Sequence, residues 1–543
     1  MVERSIYLIN PRENAPGYYN MEVLSAWGVS RMVNLADLTT PTVAAMLPAD
    51  WRVALCDERI EPVDFETDAE IVGITGKVSQ RDRIVELAAE FRARGKLVMI
   101  GGPYASLNPD DMRPHADILV RGEIEDIAAG MFAEIASGKF QSEYVGTRPD
   151  LRNSPMPRWD LYPKQLAMVA QIQTSRGCPF ECEFCDVIQY LGRKQRWKEP
   201  DQVIRELDVL YDMGYRHIYL ADDNLTVVRR RARELLAALV KWNESKPPAE
   251  RVSFSTQLSI DISRDEDILD LCVRAGLRNV FIGVETPNEE SLAETKKRQN
   301  LKIDMVEEIG KFARHGIVVT AGMIVGFDHD GLDIFERQYS FVQRLPVPLP
   351  MISILVAPAA TPLRARMATE GRLIGDDRVG GGGLLRTNIM PKNMTYDQLI
   401  AGTRWLLHAV YEPMAFLHRI ETMVALVPDP NISSRRREPT PRERKLYTQL
   451  ARRGPAERRM IRRVWSLAMA RGDLRRELLY CLMIYCQIRY MLEAQDIWRP
   501  ELVGASRPHF LDAPDRSPDH SPDHSPERNA GGPAASAAMV GVA

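Results

Sequence analysis

Residues 168–186 read MVAQIQTSRGCPFECEFCD, an apolar run typical of a buried strand followed at once by a loop with three cysteines. Cys178, Cys182 and Cys185 fall within eight residues, whereas the chain has only seven cysteines in all. The spacing therefore predicts one strand whose carboxyl end carries a cluster of thiols. What those thiols bind decides both the fold class and the chemistry.

Three uses of the cysteines compete. Structural zinc takes four ligands, usually as two pairs, and the sequence offers no second pair nearby. A redox pair made of Cys182 and Cys185 would not need Cys178. An iron–sulfur cubane normally takes four thiolates, so three local cysteines would leave one iron open to another ligand, which is a catalytic arrangement.

The chain around this loop repeats strand and helix. From about residue 166 to 375 we predict six strands, written MVAQIQTS, HIYLADD, VSFSTQLSI, NVFIGVET, VVTAGMIVGF and ISILVAP. Helical segments separate them, which predicts a partial (β/α)6 barrel. In barrels the carboxyl ends of the strands meet at one mouth. The cysteine loop should therefore face the polar residues at the later strand ends, Asp222, Asp223, Gln257 and Glu285.

The first 145 residues show a second, shorter alternation. Five apolar strands, SIYLIN, RVALCDE, EIVGITG, KLVMIGG and ILVRGE, alternate with helices and predict a doubly wound, Rossmann-like parallel sheet. A ligand of such a sheet lies beyond the carboxyl ends of its strands. Here that edge holds Thr75, Gly76, Gly101, Gly102, Pro103 and Glu123. Taken alone, glycines at this edge are more typical of tight turns between strand and helix than of a ligand site.

The remaining segments complete a five-part organisation. Residues 146–165 hold four prolines without periodicity and are predicted to be a linker. Residues 376–510 are predicted to form a helical domain with a basic stretch beginning at Arg435. The low-complexity residues 511–543 are predicted to be a disordered tail.

Composition limits the class of protein. Hydrophobic residues make up 45% of the chain and the formal net charge is −3, which fits a globular protein and argues against nucleic acid as a partner. Few cysteines and no apolar leader predict a cytoplasmic protein. The basic stretch raises the hypothesis of peripheral contact with the inner membrane face.

The cysteine spacing C-x-x-x-C-x-x-C, with Phe184 before the last cysteine, resembles the radical S-adenosylmethionine (SAM) enzymes. The resemblance implies a [4Fe–4S] cluster held by Cys178, Cys182 and Cys185, with SAM on the open iron. One electron from the cluster would cleave SAM to a 5′-deoxyadenosyl radical. The same resemblance places Phe184 beside the adenine and the polar strand ends Asp222, Asp223, Gln257 and Glu285 near SAM.

A doubly wound domain joined to such a barrel resembles the cobalamin-binding subclass of these enzymes. It implies that the glycine edge from Thr75 to Glu123 lines a corrin site. One feature differs, because the D-x-H-x-x-G element that supplies a histidine to cobalt is absent and the only histidine of this domain, His115, stands in another context. Cobalt would then have no histidine ligand from this domain.

Residues 170–420 are also similar to hopanoid C-2 methylases, in the runs ECEFCDVIQYLGR, LADDNLT, GVETPNEESL and APAATPLRARMATEGRL. The resemblance implies a cobalamin-dependent C-methyltransferase acting on an unactivated carbon of a hopanoid-like lipid or a tetrapyrrole. It also implies an external electron donor of the flavodoxin or ferredoxin type. A cyclase or oxidoreductase without net methyl transfer stays open as the alternative, and a zinc-clipped scaffold is a third class. We name no side chain as general acid or base, because the cofactors would carry the hard chemistry.

Overall fold

The computed structural model describes residues 4–163, 166–375, 383–428 and 440–498. The predicted tail 511–543 lies outside these residues, as do the last two residues of the predicted linker and part of the basic stretch.

The amino-terminal part is built as the strand pattern predicts, with two additional short strands. Its strands are β1 (Ser5–Asn10), β2 (Val33–Leu35), β3 (Arg52–Asp57), β4 (Ile71–Thr75), β5 (Leu97–Gly101), β6 (Ile118–Arg121) and β7 (Glu143–Val145). Its helices are α1 (Glu22–Ala26), α2 (Thr39–Ala44), α3 (Arg81–Ala93), α4 (Pro103–Leu107), α5 (Pro109–Met112) and α6 (Ala128–Ser137).

Six of these strands form one parallel sheet in the order β3-β1-β4-β5-β6-β7. Separate apolar cores cover its two faces. One is built around Leu87 and Phe91 of α3, and the other around Met131 and Phe132 of α6. The doubly wound prediction is confirmed. Because both faces are covered, the carboxyl edge of the strands is the natural place for a ligand.

The central part contains the barrel strands and their helices. The strands are β8 (Ala167–Ile172), β9 (Ser175–Arg176), β10 (Arg196–Trp197), β11 (His217–Leu220), β12 (Ser253–Leu258), β13 (Leu277–Glu285), β14 (Val318–Val325) and β15 (Leu349–Ile354). The helices are α7 (Val187–Tyr190), α8 (Pro200–Asp212), α9 (Arg229–Glu244), α10 (Glu266–Ala275), α11 (Glu289–Glu294), α12 (Met305–Arg314), α13 (Ile334–Arg344) and α14 (Pro362–Thr369).

These strands form a seven-stranded sheet in the order β15-β14-β13-β12-β11-β8-β2. Each strand of this sheet runs parallel to the strands beside it, and β15 and β2 are the two open edges. The sheet is therefore a half-barrel, as expected. Strand β2 comes from the amino-terminal part of the chain. Its Val33 lies opposite Ala167 and its Leu35 opposite Val169. The second sheet therefore recruits a strand from within the first predicted domain.

The carboxyl-terminal helices are α15 (Tyr396–Val410), α16 (Pro413–Leu426), α17 (Pro441–Ala451), α18 (Pro455–Ala470) and α19 (Arg475–Ala494). Three of them begin with proline, whose missing N–H and fixed φ suit a first helical position. Their apolar faces share one continuous core with the half-barrel. Among the helices that the structure describes, none is both long and apolar enough to cross a membrane.

Helix α19 is the most deeply buried of these helices and packs against the amino-terminal segment. The side chain of Gln487 accepts a hydrogen bond from the Val23 backbone N–H at 3.0 Å and donates one to the Gly17 carbonyl at 2.7 Å. Nearer the start of the helix, the Tyr480 hydroxyl accepts a hydrogen bond from the Asn34 amide of β2 at 3.1 Å. The helix thus lies against β2 at the edge of the half-barrel.

Candidate functional site

The cysteine loop leaves the half-barrel after β8 and is closed at its base by a short antiparallel pair, β9 with β10. The Cys178 N–H donates to the Gly192 carbonyl at 3.2 Å, and the Glu183 N–H donates to the Thr295 carbonyl at 3.0 Å. Gly177 has φ +93°, and a Cβ there would lie 2.7 Å from the Lys194 carbonyl oxygen. The loop therefore requires glycine immediately before its first cysteine.

The three thiols influence one another. Burial raises the pKa of Cys178, and it raises the pKa of Cys185 to about 12, with further contributions from the neighbouring cysteines in both cases. Among the described residues, no group of three or more His, Cys, Asp or Glu side chains is arranged so that it could hold a metal ion. Three soft thiol ligands on one loop nevertheless match the donor chemistry of an iron–sulfur cluster. Their role as cluster ligands stays a prediction.

The segment after β13 lies against the cysteine loop, a contact that the sequence did not predict. Lys297 forms an ion pair with Glu285 at 2.7 Å, and the Gln299 amide donates to the Cys182 sulfur at 3.8 Å. Although burial lowers it, the Glu285 carboxylate and the thiols raise the pKa of Lys297, so a positive charge stands beside the cysteines. Glu285 itself has φ +69°, at a register shift of β13, which is a strained backbone for a residue with a side chain.

The two aspartates at the end of β11 have different surroundings. Asp222 is fully buried and accepts hydrogen bonds from the N–H groups of Thr174 and Ser175 at 2.7 and 2.9 Å. It therefore fixes the backbone that leads into the cysteine loop. Asp223 accepts from the Gly177 N–H at 3.3 Å, and burial raises its pKa to about 6. Its predicted contact with SAM is still a prediction, as is that of Asp222.

Of the other predicted SAM residues, Gln257 lies near the end of the strand next to that of the aspartates, whereas Phe184 lies on the cysteine loop. The Phe184 ring stands 6.2 Å from the Phe327 ring, beside a small apolar cluster at the ends of β14 and β15. The Gln257 amide donates to the Tyr219 hydroxyl at 3.1 Å within the half-barrel. The structure thus distributes the predicted SAM residues around the mouth.

A network of charges ties the cysteine loop to α14. Arg366 bonds to Glu183 at 2.8 Å and to Asp328 at 2.5 Å, and Arg372 bonds to Asp328 at 2.5 Å. Although burial raises it, hydrogen bonds from the two arginines hold the pKa of Asp328 well below its usual range. The carboxylate of Asp328 is therefore held in a network of ion pairs. Arg366 lies in the run APAATPLRARMATEGRL, but nothing in that run indicated its contact with the cysteine loop.

A cavity of 410 Å³ lies between the two sheets. All six residues predicted at the glycine edge line it, namely Thr75, Gly76, Gly101, Gly102, Pro103 and Glu123. The half-barrel contributes its first strand and the start of the cysteine loop, through Gln171, Gln173 and Arg176. The cavity therefore joins the edge of the first sheet to the mouth of the second.

The glycines on this edge are required by close backbone packing. Gly102 has φ +93°, and a Cβ there would lie 2.5 Å from the Thr75 hydroxyl oxygen and 2.9 Å from the Gly76 nitrogen. The turn interpretation therefore holds for this edge, and because the same glycines also line the cavity, their role in binding a ligand stays a prediction. His115 does not line it, and the described cavity wall contains no histidine.

Arg176 links the two parts of the cavity. It lies 2.7 Å from Glu123 and 2.5 Å from Glu125, and Arg196 also reaches Glu123 at 2.6 Å. All four side chains are nearly buried. Two guanidinium groups therefore bind the Glu123 carboxylate. One of them belongs to Arg176, which lies two positions before Cys178.

Comparison with known proteins identifies families that match the central and carboxyl-terminal parts of the chain. Residues 172–342 match the model of the radical SAM superfamily, and residues 361–496 match a domain of unknown function, DUF4070. An uncharacterized methyltransferase of Synechocystis is 38% identical over 67% of this chain and 68% of its own length. The hopanoid C-2 methylase of Rhodopseudomonas palustris is 31% identical over 70% of this chain and 72% of its own.

Among solved structures, the cobalamin-dependent S-adenosylmethionine radical enzyme OxsB has the same fold, with a TM-score of 0.59 at 14% identity over 94% of this chain and 82% of that one. The alternation of strands, the cysteine loop and these relatives agree. The chain belongs to the radical SAM superfamily and, within it, to the cobalamin-binding family that includes the hopanoid C-2 methylase.

Proposed function

We propose that this protein is a cobalamin-dependent radical SAM C-methyltransferase that acts on an unactivated carbon. The observation that carries the proposal is a cavity that adjoins both the glycine edge of the first sheet and the start of the cysteine loop. Its cofactors are a [4Fe–4S] cluster, SAM and cobalamin. When bound, they supply a radical for hydrogen abstraction and a methyl group for transfer.

The residues of the half-barrel would hold and shield the cluster and SAM. Cys178, Cys182 and Cys185 supply the thiolates, and the positive charge of Lys297 lies beside them. Asp222 fixes the backbone at the base of the loop. The half-buried Asp223 is the carboxylate best placed to accept hydrogen bonds from SAM, while Phe184, Gln257 and Glu285 lie around the same mouth.

The first sheet would hold the corrin at its carboxyl edge. Thr75, Gly76, Gly101, Gly102 and Pro103 offer backbone with little side-chain bulk. Arg176 and Arg196 keep the Glu123 carboxylate in place at the cavity wall. With no histidine in the described wall, cobalt would have no imidazole ligand from this domain.

The names of the relatives support two substrate classes. The hopanoid C-2 methylase indicates a lipid, and the more distant bacteriochlorophyllide d methyltransferases indicate a tetrapyrrole. A cyclase without net methyl transfer is the alternative function, because anaerobic magnesium-protoporphyrin IX monomethyl ester cyclases are also related to this chain.

The decisive experiment uses protein reconstituted anaerobically with iron and sulfide and supplied with cobalamin, SAM and a strong reductant. S-adenosylhomocysteine and 5′-deoxyadenosine are quantified together. Formation of both supports the methyltransferase. Deoxyadenosine alone moves the assignment to the cyclase class, and bound zinc with neither product contradicts both.

The exposed face of α18 supports a further proposal about partners. Arg458, Arg459, Arg462 and Arg463 lie along it, and a lipid substrate would be delivered from an anionic membrane surface. Co-sedimentation with phosphatidylglycerol vesicles should fall when Arg459 and Arg462 are changed to Glu. Unchanged binding would remove the membrane proposal. The electron donor is proposed to be a flavodoxin or a ferredoxin.

A further inference from the structure

The half-barrel encloses a second cavity, separate in its lining from the one between the sheets. It has a volume of 360 Å³ and lies between the concave face of the sheet and helix α19. Its walls include one or more residues from each of the strands β2, β8, β11, β12, β13, β14 and β15. A chamber of this size in a protein interior, where packing leaves few voids larger than water, is a binding-site candidate.

Most of the chamber wall is apolar. Val169, Phe281, Val318, Leu349 and Met351 contribute side chains from the four strands β8, β13, β14 and β15. Along β12 the alternate residues Ser253, Ser255 and Gln257 all face the chamber, which makes it at least about 13 Å long at about 3.3 Å per residue. Such a space fits a mainly hydrocarbon molecule.

One end of the chamber is polar and lies near the start of the strands. Glu477 is 5% exposed and Asn34 is 2% exposed. The Oε2 atom of Glu477 and the Oδ1 atom of Asn34 are both buried without a hydrogen-bond partner among the described residues. Tyr480, one turn after Glu477 on α19, receives the amide hydrogen of Asn34 and so brings the two acceptors to the same wall.

Two unpaired buried acceptors are costly, at about 1–3 kcal/mol each, unless a ligand supplies donors. A hydroxyl group can donate to one of them and still be carried by an apolar skeleton. A carboxylate has no donor to offer and would stand against Glu477. His217 and the exposed Arg476 also line the chamber and offer donors to a carboxylate, so a direct comparison of a hydroxyl probe with a carboxylate probe tests the assignment.

We propose that this chamber binds the substrate, an apolar molecule that carries a hydroxyl group, with the hydroxyl donating to Glu477 beside Asn34 and the hydrocarbon directed towards Gln257 at the mouth. The assignment of this ligand as the methyl acceptor rests on the proposed function. It also gives a role to the carboxyl-terminal domain, whose helix α19 closes the half-barrel and supplies one of the two acceptors.

The test measures binding of three ten-carbon probes by calorimetry: 1-decanol, decanoate and decylammonium. The full chain carries its reconstituted cluster, cobalamin and SAM, without reductant. We expect 1-decanol to bind at least tenfold more tightly than decanoate, and Glu477→Ala to weaken decanol binding about tenfold, because one hydrogen bond is lost.

A second variant locates the binding. Ser255→Leu fills the chamber and should abolish decanol binding, whereas Ser137→Leu, at the exposed end of α6, should leave it unchanged. The thermal midpoint of each variant shows whether it is folded. Tighter binding of decanoate or decylammonium, or decanol binding that survives Ser255→Leu in a folded protein, would overturn the proposal.

The probe-binding experiment and the product assay that tests the proposed function can fail independently. If S-adenosylhomocysteine and deoxyadenosine form but no probe binds as expected, the chamber inference fails and the methyltransferase stands. If decanol binds with the expected pattern but neither product forms under reducing conditions, the proposed function fails while the chamber remains a hydroxyl-selective site.

Discussion

The two sheets of this protein use the same kind of strand in different ways. The first is an open sheet with apolar cores on both faces, so its ligand-binding capacity lies at its carboxyl edge. The second is curled, so its concave face encloses space that helix α19 closes from the other side. Parallel strands alone therefore do not fix the kind of site, which depends on what covers each face.

The largest effect is expected at the cysteine loop of the curled sheet. Cys178→Ala should abolish deoxyadenosine formation, because two thiolates cannot hold a cluster with an open iron in the way that three can. Iron content and deoxyadenosine are measured together. Cys272→Ala, on α10 and away from the loop, is the matched control and should retain both. Full SAM cleavage by the Cys178 variant would refute the cluster assignment.

The junction between the two sheets comes next in size. Arg176→Met leaves Glu123 and Glu125 nearly buried with less compensation, so the free energy of unfolding should fall by about 3–5 kcal/mol. Denaturant titration measures this change. The exposed pair of Arg113 with Glu143 gives the control, since Arg113→Met should leave the denaturation midpoint nearly unchanged. Equal losses in the two variants would show that Arg176 does not hold the junction.

The glycine edge of the open sheet should be sensitive to substitution at Gly102, whereas Gly95, in the turn between α3 and β5, should tolerate it. Gly102→Ala places a Cβ against Thr75 and should cost about 2–3 kcal/mol while weakening cobalamin binding, followed by its visible absorbance, at least about tenfold. Gly95 also has positive φ, but a Cβ there would meet nothing within 4 Å, so Gly95→Ala should cost only about 1 kcal/mol. Normal cobalamin binding by the Gly102 variant would contradict the corrin site.

The last effect appears only in acid and concerns the stability of the helices that close the curled sheet. Burial, together with the nearby positive charge of Arg489, lowers the pKa of His408 to about 4. Below its unfolded pKa of about 6.5 the unfolded chain takes up a proton that the folded chain does not. Stability should therefore fall as the pH decreases from 6.5 towards 4, by up to about 3 kcal/mol from this group.

His408→Phe should flatten that part of the stability profile, because phenylalanine can keep the stacked contact with Trp498, whose ring lies 4.1 Å away. Unfolding free energies measured at pH 7, 6, 5 and 4 compare the two proteins. Parallel profiles would show that His408 does not titrate between the two states. His217, whose pKa burial also lowers to about 4, limits how flat the variant profile becomes.

Much of the fold could be predicted because its signals are local. Every predicted strand of both sheets is present, since buried parallel strands appear as short apolar runs. The cysteine spacing and the glycine edge are also continuous in sequence, and all six predicted edge residues line one cavity. Local signals did not indicate β2, because three residues carry too little pattern.

The site residues that the sequence analysis did not predict come from segments far from the cysteine loop in the chain. Lys297 and Arg366 lie beside the cysteine loop, yet they come from the segments after β13 and β15. Lys297 lies outside the sequence runs that carry the resemblance, and the run that contains Arg366 does not indicate which residues it contacts. The predicted aspartate Asp222 proved to be bonded to backbone, because a fully buried carboxylate binds the nearest free N–H groups.

The sequence by itself determined the alternation of strands and helices, the three thiols on one loop and the membership of the radical SAM superfamily. Each depends on residues that are neighbours in the chain. Only the tertiary structure decided that the two sheets share a cavity through Arg176, and that α19 closes a chamber with Asn34 and Glu477 on one wall. These features join residues far apart in the chain, and the contacts that create them arise from burial and charge pairing, which carry no short-range signature in the sequence.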